Sequence, residues 1–88
     1  MLEPDHEADR RARLAALRAE WGKDFDARFG PGSYGLHEVL HTAQVAEGLV
    51  SRELLGHPAC VRDPVLFAAA TQAVEALAEV YRLAGERS

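Results

Sequence analysis

Three side chains of this sequence are spaced for chemistry: His37, Glu38 and His41, within "HEVLH". On a helix, imidazoles at i and i+4 project from one face and can hold a zinc ion. The intervening glutamate is then placed to take a proton from metal-bound water. The same letters contain Glu38-x-x-His41, the i,i+3 pair used in di-iron helical bundles. Directly upstream, Gly30, Gly32 and Gly35 satisfy G-x-G-x-x-G, a spacing that cradles phosphates. His37 and His41 are therefore the candidate metal ligands, with Glu38 as base or ligand.

Each pattern needs partners, and the rest of the chain supplies few. A catalytic zinc requires a third protein ligand. The extended zinc-peptidase motif places a glycine and then a histidine beyond the second histidine, where this chain has Gln44 and Glu47. His57 falls past the end of the same helix, roughly 24 Å from His41 at about 1.5 Å per residue. On the helical wheel His37 and His41 lie about 120° and 160° from the centre of the apolar stripe, so both are expected to face away from the core. A metal reading then needs a ligand from a second chain. A di-iron centre needs further inward carboxylates, but Glu75 and Glu79 fall opposite the core face, beside Arg82. The glycine pattern lacks the preceding strand of a dinucleotide site and has Gly-Leu-His where a P-loop has Gly-Lys-Ser/Thr. It reads as a connector. No catalytic residue and no cofactor is assigned.

Helices must position these residues. A first helix is expected over about 5–29, where Glu7–Arg11 and Asp9–Arg13 are i,i+4 pairs in the favourable order. Its apolar stripe is Leu14, Leu17, Trp21, Phe25 and Phe29, interrupted by Gly22, which costs about 1 kcal/mol relative to alanine and allows a break or bend there. "GPGSYG" is turn chemistry. A second helix follows over about 34–55, with Ser33 as N-cap. It is striped by Leu36, Val39, Leu40, Ala43, Ala46, Val50 and Leu54. A third helix is expected over about 64–84, capped by Asp63, opened by Pro64 and stopped by Gly85. Its apolar face is wide, including Leu66, Phe67, Leu77, Val80 and Tyr81. No window alternates with period two. The expected fold is all-α, a small three-helix bundle in one domain over 1–88. The second and third helices form an antiparallel hairpin with the first packed across it.

Composition bounds the partners. The formal net charge of −4 argues against nucleic acid. The arginines of the first helix are interleaved with acids, as on a solvated face. One cysteine, Cys60, excludes an internal disulfide. The N-terminus is charged, with no apolar signal core behind it. The most apolar stretch carries Gln72, Glu75 and Glu79, so no membrane span is expected. The expected location is cytoplasmic.

Two apolar residues of the second helix, Val45 and Leu49, lie about 120–160° from its stripe. The third helix is apolar well beyond one face. Both features suit a helical module that associates with itself, expected as a dimer, or with another protein, and that has no catalytic activity of its own. Val45, Leu49, Val65 and Leu83 are the expected contact residues. The alternative function is the metal-dependent one at His37 and His41.

Overall fold

The computed structural model describes residues 4–88, and every element among them is helical. Helix α1 spans Pro4–Trp21, α2 Phe25–Phe29, α3 Tyr34–Glu53, α4 Pro58–Arg62 and α5 Pro64–Arg87. The all-α fold and the antiparallel pairing of α3 with α5 are as expected from the sequence. Both helices carry residues toward the seam at alternating steps of four and three. The series is Leu36, Leu40, Ala43, Glu47 and Val50 on α3 and Phe67, Ala70, Val74, Leu77, Tyr81 and Ala84 on α5. That spacing averages 3.5 residues and keeps one stripe facing a neighbour along a long contact.

The seam is narrow. Its buried apolar residues are Ala43, Ala70 and Ala84, joined by Cys60 at the turn, and among the described residues no large side chain is fully buried. Small buried side chains on both helices let the two backbones approach closely.

The segment over 5–29 breaks at Gly22, the glycine that interrupts its apolar stripe, and its longer part does not pack across the hairpin as expected. Gly22 takes a positive φ of 63°, and a 3-10 turn over Gly22–Asp24 separates α1 from α2. Left-handed backbone ends an α-helix, and glycine adopts it without a Cβ clash. Only α2 reaches α3, whereas α1 comes near neither α3 nor α5. The junction is held instead by aromatic packing. Trp21 meets Phe29 edge-on at 5.1 Å, Phe25 lies 5.5 Å from Phe29, and the guanidinium groups of Arg18 and Arg28 cover Phe25 and Trp21. Along α1, Glu7 pairs with Arg10 and Arg11, and Asp9 with Arg13. The hydrogen bond from Arg10 holds the Glu7 carboxyl below its ordinary value of 4.5.

Capping explains the remaining boundaries. The Asp63 carboxylate accepts from the Val65 N–H at 2.9 Å and the Leu66 N–H at 3.3 Å, with Pro64 in the first turn. Asp63→Ala is expected to lower stability by about 1 kcal/mol, read as a shifted urea midpoint. Ser33 occupies the N-cap position of α3, but its hydroxyl makes no capping bond. Gly85 does not stop α5. The helix continues to Arg87, whose carbonyl accepts from the Gly32 N–H at 2.8 Å, so the glycine turn finishes what the helix end leaves open. The turn "GHPACVRD" is itself helical over α4, because His57 Nδ1 accepts from the Ala59 N–H at 3.1 Å and Pro58 opens the turn.

Candidate functional site: an apolar hairpin face

His37 and His41 project from α3 and are exposed. Tyr34 stands beside them, its ring 6.5 Å from that of His37 and 77% exposed. They share a shallow depression with Glu38 and Thr42. Among the described residues no group of three or more His, Cys, Asp or Glu side chains converges to hold a metal. The two imidazoles thus remain a pair of donors on a solvent-facing helix side. Glu79 and Glu86 flank Arg82 in an ion-paired strip on the outer side of α5. The Arg82 hydrogen bond pulls the Glu79 carboxyl below its ordinary value of 4.5.

The conspicuous feature lies along one side of the α3–α5 seam. Two open grooves run there end to end. The first, about 560 Å³, lies between Val39, Ala43 and Ala46 of α3 and Leu77 and Val80 of α5, with Phe29 at its rim. The second, about 500 Å³, lies between Leu54, Cys60, Leu66, Ala69 and Ala73. Successive turns of α5 line both: Leu66, Ala69 and Ala73 one, Leu77 and Val80 the other. That makes the two grooves parts of one face. Val39 is 46% exposed, Leu66 53% and Val80 43%. Glu38, Thr42 and His57 are the polar side chains at the groove walls, so burial there leaves few polar groups to satisfy.

The four expected contact residues sit around this face rather than in its grooves. Val45 and Leu49, both more than half exposed, continue it outward on α3. Val65 is the most exposed valine and Leu83 is half-buried, both on the outer edge of α5. Val39, Leu66 and Val80 belong by periodicity to the apolar stripes of their helices. They line open grooves because α1, expected to cover the hairpin, points elsewhere. A sequence signal for the face exists in Ala69, Ala73 and Ala76, small residues at steps of four and three between Leu66 and Val80.

An all-α protein built on a helical hairpin with one open apolar face is the class that fold and site define. Comparison with protein-family models, curated proteins and solved structures finds no match for the chain. Among the described residues no helix is long and apolar enough to cross a membrane.

Proposed function

We propose that this protein works by association, through the apolar face of the α3–α5 hairpin, and carries out no reaction of its own. The observation that supports this reading is the continuity of that face. Two grooves lie along about four turns of α5, and the large apolar side chains Val39, Leu66 and Val80 at their walls stay about half exposed. An isolated exposed leucine or valine is ordinary, but a contiguous apolar patch on a small domain marks an interaction surface. In this reading His37 and His41 are solvated surface residues. Val45, Leu49, Val65 and Leu83 form the rim of the contact, and the protein acts in the cytoplasm.

The test places charge on the face and on the opposite side of the same hairpin. An environment-sensitive apolar dye should bind the natural chain at dilutions where the face is open. Val39→Lys with Val80→Lys should abolish that signal, and Gln44→Lys with Ala78→Lys should preserve it. Equal dye binding by both double variants would remove the face as the site and the reading with it.

A further inference from the structure

The geometry points to a second copy of this chain as the occupant of the hairpin face. The two α3–α5 hairpins pack face to face as an antiparallel four-helix bundle. This rests on the reading of that face as an interaction surface, and it adds the partner and the arrangement.

Area is the first argument. The chain exposes 6860 Å², whereas a compact protein of 9.6 kDa exposes about 5,100 Å². Its radius of gyration is 16.3 Å, against about 12 Å for a compact chain of this length. The excess surface is roughly twice the 800 Å² per chain that a standard interface takes. That excess is shared between α1, which packs on neither α3 nor α5, and the open hairpin face.

The layout of the face is the second argument. Its two grooves are nearly equal in volume and lie at opposite ends. The large residues of α5, Leu66 and Val80, also lie toward the ends, with Ala73 and Ala76 between them. A two-fold axis through the middle brings each end of one copy onto the other end of its partner. Leu66 of one copy then meets the groove walled by Val39 and Val80 of the other, and the reverse holds by symmetry. Such an isologous contact is self-complementary. The alanines at its centre admit the close helix approach of a bundle, about 8–10 Å between axes.

Charge is the third argument. A net charge of −4 opposes self-association, but the acids of α5 that form ion pairs, Glu79 and Glu86, sit with Arg82 away from the face. Glu38 is the one acid at the groove walls. The face therefore offers neither a like-charge clash to a second copy nor a charge pattern that would select a strongly charged partner.

Sedimentation equilibrium over a concentration series tests the proposal, with circular dichroism to verify that each variant stays helical. The natural chain is expected at twice its 9.6 kDa mass at micromolar concentration. Ala76→Lys is expected to be monomeric throughout, and Ala78→Lys, across the same helix, to remain a dimer. Ala73→Leu is expected to weaken association about tenfold, because the larger side chain at the centre of the face holds the two hairpins apart where the alanines admit a close approach. Tighter association by Ala73→Leu would mean general stickiness and overturn a fitted pair, as would an open series of larger species. A natural chain that is monomeric at every concentration overturns the second copy. If that monomer still binds dye in the Val39- and Val80-dependent manner, the interaction-surface reading survives alone. If it does not, both fall.

Discussion

Ala43→Leu is expected to destabilise the protein by about 1–3 kcal/mol, although it adds apolar surface and a good helix former. Ala43 is 5% exposed, on the side of α3 that meets α5. The hairpin has no large buried side chain whose movement would make room, because its buried apolar residues are three alanines and a cysteine. Three extra carbons then push the backbones apart along the seam that gives the domain its cohesion, or twist the side chain toward the groove that Ala43 also walls at a cost in rotamer strain. Total stability for a chain of this length is roughly 4–13 kcal/mol, so the loss is a large fraction of it. The melting temperature should fall by about 5–20 °C. A temperature unchanged or raised by the leucine would show that the seam is looser than described, with Ala43 outside it.

Gly35→Ala has an expected sign opposite to that from helix propensity. Replacing a glycine within a helix by alanine ordinarily stabilises by about 1 kcal/mol. Here a Cβ at position 35 would lie 2.8 Å from Phe29 Cδ1, 2.9 Å from the Arg28 carbonyl oxygen and 3.3 Å from Phe29 Cα. Two of those neighbours are backbone atoms, so no change of rotamer relieves them. Helix α2 must move off α3, at a cost of about 1–3 kcal/mol. The movement should be visible in Trp21, the one tryptophan, which stacks edge-on against Phe29. Its emission should shift to the red while the helicity of α3 and α5 is retained. A stabilised variant with unaltered tryptophan emission would contradict the docking of α2 on α3.

These two substitutions separate what local sequence encodes from what it cannot. The helix starts were legible where side chains act on their own backbone. Asp63 followed by Pro64 reads directly as a cap and first turn, and the structure forms both hydrogen bonds of that cap. The pairs Glu7–Arg11 and Asp9–Arg13 were equally local. Ser33 was legible as a position but not as a bond, since the orientation of its hydroxyl depends on what surrounds it. The end of α5 was misplaced at Gly85 because the acceptor role of the Arg87 carbonyl involves Gly32, 55 positions earlier in the chain.

The candidate site divides along the same line. That His37 and His41 share a helix side away from the seam followed from the phase of the helix, because 100° per residue is a property of the backbone alone. That Val39, Leu66 and Val80 line open grooves did not follow, since periodicity distinguishes apolar from polar sides of a helix but not a covered side from an uncovered one. The sequence by itself determined the helices, their apolar sides and the pairing of α3 with α5, all consequences of short-range geometry and of the turn between them. Tertiary structure alone decided that α1, beyond the turn at Gly22, comes near neither α3 nor α5 and so leaves the hairpin face uncovered. Glycine permits that turn without requiring it, and the choice depends on the packing of Trp21, Phe25 and Phe29 with α3.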